Sequence, residues 1–172
     1  MSTVPNLEKA EILFALGLLP AEQLSDVAVG ALQEGVTSGA LIQLAGLLSV
    51  EVDDAPRLFL EALRELGRAV PSKHAALHAY ALAICEEIVV DNSTGYDAAK
   101  RIWAARRTAN VDCHQVDPFV YAASEYEDRP KERDFFSKAI VDEALRWVRG
   151  TPSVKDCEVA EGLVARDTIR GR

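Results

Sequence analysis

The sequence predicts an all-α protein, an irregular bundle or short array of about eight helices. Three observations carry this. Apolar residues recur with a helical period along almost the whole chain. Proline and glycine sit where helices begin and end rather than inside them. No stretch combines period-two alternation with β-branched residues in the way a strand does.

The helices follow in order. Asn6 is placed as an N-cap for an apolar helix from Leu7 to Leu16, ending near Gly17. Pro20 opens a second helix, where a missing N–H costs nothing; its face is Leu24, Val27, Ala28, Ala31 and Leu32, and Gly35 suits a left-handed stop. Thr37 or Ser38 caps a short helix, ALIQLAGLL, apolar nearly all round. Asp53 or Asp54, then Pro56, starts a fourth, with Leu58, Phe59, Ala62, Leu63 and Leu66 inward and Gly67 as its end. Pro71 and Ser72 precede the longest apolar helix, about His74 to Val90, with the seam Leu77, Ala81, Ile84 and Ile88.

The polar stretch DNST reads as a turn and cap. From Tyr96 to about Arg107 the next helix points Ile102 and Trp103 inward and Lys100, Arg101, Arg106 and Arg107 outward. Asp117-Pro118 opens FVYAASEYED. Pro130 opens a last long helix to Arg149, with Phe135, Phe136, Ala139, Ile140, Ala144, Trp147 and Val148 on one face and Gly150 at its end. Residues 1–150 thus read as a single helical domain. Residues 151–172 read as a weakly structured tail or a short helix capped by Ser153 and interrupted by Gly162.

Size and charge narrow the function classes. The 172 residues suit one domain, and such a length buries enough surface to fold without a metal or disulfide. Cys85, Cys113 and Cys157 are an odd count with no paired spacing. With neither an apolar run of membrane-spanning length nor a secretory start, a reduced, cytoplasmic setting is expected and a membrane partner is not. The net charge is −8 and lies in the first part of the chain: residues 1–99 hold 5 Lys+Arg and 14 Asp+Glu, residues 100–172 hold 14 and 13. This disfavours nucleic acid and suits a basic protein partner.

Several motifs bear on chemistry. His74 and His78 have the i, i+4 spacing of two metal-binding imidazoles, but position 75 is Ala, not the glutamate of the zinc-protease motif. Cys113-His114 are adjacent in a loop, and sequence neighbours seldom form a nucleophile–base pair. Glu86 and Glu87, with Asp91 at the helix end, and Glu125 and Asp128 as ExxD, are the hard oxygen ligands that Mg²⁺ prefers. They share residue type with all-helical Mg²⁺-dependent nucleotide pyrophosphatases, but without the full pattern. The usual role of such charges is a solvated face. The basic helix lacks interleaved aromatics for base stacking apart from Trp103. The acidic segments EVDD (51–54) and SEYEDRP (124–130) concentrate charge at helix ends, the second with Tyr126, which suits docking to a basic surface.

The features LQEG (32–35), LAGL (44–47), LREL-G (63–67), YDAAKRIW (96–103) and DPFVYAASEYEDRP (117–130), with a final long helix, resemble small all-helical bacterial proteins of unknown function over roughly residues 20–149. That resemblance implies no activity and no site residues. A looser likeness, in size, class and charge, is to the acidic immunity proteins that neutralise bacterial toxins.

The expectation is a non-catalytic protein-binding module, immunity-like, without a cofactor, contacting its partner through Glu51, Asp53, Asp54, Glu125, Tyr126, Glu127 and Asp128. The alternative is a Mg- or Mn-dependent hydrolase of a phosphorylated small molecule, with Glu86, Glu87, Glu125, Asp128, His74 and His78 as the candidate metal ligands. A subunit of a homo-oligomer is the third.

Overall fold

The computed structural model describes residues 5–47, 49–90 and 95–150, and among these it is all-α. The eight α-helices of the described residues are α1 (Leu7–Ala15), α2 (Leu24–Gln33), α3 (Gly39–Ala45), α4 (Ala55–Glu65), α5 (Lys73–Val90), α6 (Gly95–Ala109), α7 (Asp117–Asp128) and α8 (Arg133–Arg149). Short 3₁₀ turns precede α2, α4, α7 and α8. The expected DNST turn at 91–94 and the C-terminal segment 151–172 lie outside the described residues.

Local signals act where the sequence puts them. The Asn6 side chain accepts from Lys9 N at 2.9 Å and the Ser38 hydroxyl from Leu41 N at 3.1 Å, each satisfying an orphan amide of a helix start. Pro20 opens a 3₁₀ turn, Ala21–Gln23, before α2 begins at Leu24. Asp54 stands at the N-cap of α4 but makes no capping bond; its carboxylate takes the Arg57 Nε–H at 3.2 Å instead. Gly67 (φ +68°) closes α4 in the left-handed conformation, and Arg68 N then donates to Leu63 O at 2.8 Å.

The residue contacts gather into two compact units, Met1–Ser72 and Lys73–Arg172. In the first, α3 packs on both α2 and α4, and α1 on α2. Its core is Leu24, Val27, Leu41, Leu44, Phe59 and Leu63, with Phe14 tilted against Phe59 at 5.0 Å. Glu11 is buried beside it and takes a two-pronged ion pair from Arg68, which the turn at Gly67 directs back toward α1. In the second unit, α5 packs on α6 and α8, and α7 packs on the same two. The α5 seam Leu77, Ala81, Ile84 and Ile88 is buried as its spacing predicts, and so are His78 and Cys85.

Three side chains depart from their expected faces. Trp103 is only half-buried, while Ile102 beside it is fully buried. On α8, Phe136, Ile140, Ala144 and Trp147 are buried, but Phe135 is 67% and Val148 40% exposed. The reason is angular: adjacent helical residues point about 100° apart, so Phe135 and Phe136 cannot share the centre of one narrow face.

Candidate interaction surface

Helix α7 buries Phe119, Ala122 and Ala123. That choice leaves Tyr121 on the opposite side, 60% exposed. Helix α8 packs against α7 through Phe136, and Phe135 stands outward next to it. The Phe135 ring meets Phe136 edge-on at 5.2 Å and 83°; Tyr121 meets Phe136 edge-on at 6.4 Å and 76°. Both geometries are favoured for aromatic quadrupoles. Two exposed rings are therefore held against one buried ring and anchored on two packed helices. Asp128 and Asp134 are exposed in the same two helices and form no ion pair with a described residue.

The acids expected to meet a partner are placed differently. Glu125 is half-buried and its Oε2 lies 2.6 Å from Arg129 Nε. Tyr126 stacks on Tyr96 of α6, and the Arg133 guanidinium lies over the Tyr126 ring at 5.1 Å. Glu127 accepts from the Tyr96 hydroxyl and from Lys100 Nζ, the latter at 2.9 Å. Those two donors, the Tyr96 hydroxyl first, hold the Glu127 carboxyl below its usual range. Tyr126 and Glu127 thus tie α7 to α6, Glu125 pairs within its own segment, and Asp128 forms no ion pair with a described residue. In the other unit, Asp53 and Asp54 are exposed and Asp54 pairs with Arg57. Glu51 lies in the 3₁₀ segment Ser49–Asp54.

No protein-family model, curated protein or solved structure matches this chain.

The metal-ligand candidates do not converge: among the described residues no three His, Cys, Asp or Glu side chains come together as a cation site. Glu87 pairs with Arg101 at 2.6 Å, and Glu86 is exposed on α5. His78 is buried against Trp147, with ring centroids 5.2 Å apart, and His74 Nε2 lies 3.2 Å from Asp112 O. Cys113 is buried while His114 beside it is exposed and directs Nδ1 to Asp117 Oδ2 at 3.0 Å. The Cys85 thiol is pushed up to about 12 by burial, then by Glu143 and Glu86, which keeps it protonated and unreactive.

Sequence reasoning missed Tyr121 and Phe135 as surface groups. The signal for Phe135 was present in the adjacent pair Phe135-Phe136, of which a helix can centre only one on its buried face. Tyr121 carried no such signal, because which side of α7 faces inward depends on the helices that flank it.

Proposed function

We propose that this chain is a non-catalytic protein-binding module that docks a partner on the α7–α8 aromatic face. The observation that carries the reading is the pair Tyr121 and Phe135, both more than half exposed and both backed by Phe136. Leaving a phenyl ring in water forgoes roughly 1.5–3 kcal/mol of burial, and rigid aromatics that lose little entropy on contact are typical interface anchors. The partner this face fits is a protein with an apolar pocket and basic surroundings. Asp128 and Asp134, which form no ion pair with a described residue, offer negative charge on the same helices. Neutralisation of a toxin, as immunity proteins perform it, is one form of such binding; its support is size, helical class and acidity.

The hydrolase alternative lacks a convergent carboxylate set among the described residues, so the binding reading is preferred. The test is site-specific photo-crosslinking from position 135 in the cells that make the protein, with a probe at the exposed Glu22 as control. The captured partner is then purified and titrated against wild type, Phe135→Ser and Tyr121→Ser. At least tenfold weaker binding by both variants, with folding intact, is expected. A partner bound equally by all three, or crosslinked equally from both positions, overturns the assignment.

A further inference from the structure

Four cations stand on α6, and three are committed. Lys100 pairs with Glu127 at 2.9 Å, Arg101 with Glu87 at 2.6 Å, and Arg106 with both Asp112 and Asp117. Arg107 is exposed and forms no ion pair with any described residue. One helical turn before it, at i−4 and so on the same face, stands the half-buried Trp103. The two border a surface cleft of about 450 Å³, lined also by Arg106, Asn110, Val111 and Asp112. That volume is in the range of small-molecule sites.

The end of a helix carries partial negative charge that opposes an anion. Here three of the last carbonyls are already used: Val111 N donates to Arg106 O at 3.3 Å, Asn110 N to Arg107 O at 3.2 Å and Lys73 Nζ to Ala109 O at 2.9 Å, with Asn110 in the left-handed conformation (φ +51°). The same turn brings the Asn110 carboxamide to the cleft wall. Arg106 is held in place by its two carboxylates, which answer most of its charge but leave its Nε–H outside both pairs. The wall therefore offers one guanidinium with no ion pair among the described residues, one aromatic surface and the Asn110 amide, beside an Asp112 carboxylate that Arg106 answers. A single such cation is too little for a nucleic-acid backbone, which needs a row of them. It matches one anionic group, and the indole surface beside it matches one planar ring.

We propose that this cleft binds a small anion carrying a planar ring, of the nucleoside monophosphate class, with the ring on Trp103 and the phosphate on Arg107. This site is independent of the aromatic docking face on α7 and α8.

The test uses the intact chain, ¹⁵N-labelled, titrated with adenosine 5′-monophosphate, and in parallel with adenosine and with inorganic phosphate. Indole and arginine side-chain N–H signals are followed, with Trp103→Phe to assign the indole. A saturable shift of the Trp103 and Arg107 signals by the monophosphate is expected, with Trp147, which is 1% exposed, unmoved. Arg107→Ala, a surface change whose fold is checked by circular dichroism, should weaken binding about tenfold. Phe135→Ser should leave it unchanged, so the outcome does not depend on the docking face. No saturable shift up to millimolar concentration overturns the proposal. So does equal binding of adenosine or of phosphate alone, or affinity that survives Arg107→Ala.

Discussion

Tyr126 of α7 stacks on Tyr96 of α6 with ring centroids 4.2 Å apart and planes 19° from parallel. Beside the stack, the Tyr96 hydroxyl donates to Glu127, which also takes Lys100, and Lys100 Nζ lies 5.3 Å from the centre of the Tyr96 ring. The segment whose acids the sequence offers to a partner is in this way a latch between two helices.

The latch has a two-sided pH dependence. The bond to Glu127 raises the Tyr96 hydroxyl above the ordinary tyrosine value of 10.0, so the stability it contributes is complete below that value and lost as pH rises through the raised one. The Glu127 carboxyl is lowered from 4.5, so its contribution is present above 4.5 and lost as pH falls through the lowered value. The melting temperature of Tyr96→Phe should lie below wild type at neutral pH and converge with it at both extremes. A difference independent of pH would remove the hydroxyl–carboxylate bond from the account. Tyr126→Leu, which removes the stack, should cost about 0.5–1.5 kcal/mol in urea unfolding.

A second carboxylate spans from the end of one helix to the start of another. Ala40 N donates to Glu65 Oε2 at 2.9 Å, so the last residue of α4 caps the start of α3. The Ala40 amide first, then the Ser38 hydroxyl, lower the Glu65 carboxyl from 4.5. Glu65→Ala should therefore reduce the melting temperature at neutral pH. That loss should disappear as pH falls below 4.5 through the lowered value, because wild type then loses the same interaction.

Glu11 is 8% exposed and its carboxylate is answered by Arg68. Arg68→Ala leaves that acceptor buried without its cation and should cost about 1–3 kcal/mol. Arg68→Lys should recover only part of this, since a single ammonium cannot supply two parallel bonds. Equal stability of both variants with wild type in urea would show the pair to be energetically idle.

Phe135 and Trp147 separate surface from core on the same helix. Trp147 is 1% exposed between His78 and Phe119, so Trp147→Ala should cost about 3–5 kcal/mol. Phe135→Ser removes one edge contact from a ring already in water and should cost about 1 kcal/mol or less. Denaturant midpoints of the two variants decide this. A Phe135 variant as damaged as the Trp147 variant would make Phe135 a core residue.

Cys85 is fully buried with its thiol pushed up to about 12. Native protein at mildly alkaline pH should leave Cys85 unmodified by iodoacetamide, and unfolded protein should react fully, as read by peptide mass spectrometry. Native-state modification at the unfolded rate would contradict the burial.

The helical class, the cap at Asn6, a cap at Thr37 or Ser38, the left-handed stop at Gly35 and the buried seam of α5 were legible in the sequence alone. Each is set by interactions within a few residues, which the spacing of apolar, capping and turn residues records directly. The division into two compact units, the exposure of Phe135 and Tyr121, and the pairing of Lys100, Arg101, Arg106 and Glu127 were decided by tertiary structure. A solvated cation and a cation in a salt bridge look identical in a sequence. Glu127 and Lys100 stand 27 residues apart, Arg68 and Glu11 57. Only the packing of helices fixes which charges meet and which ring is covered.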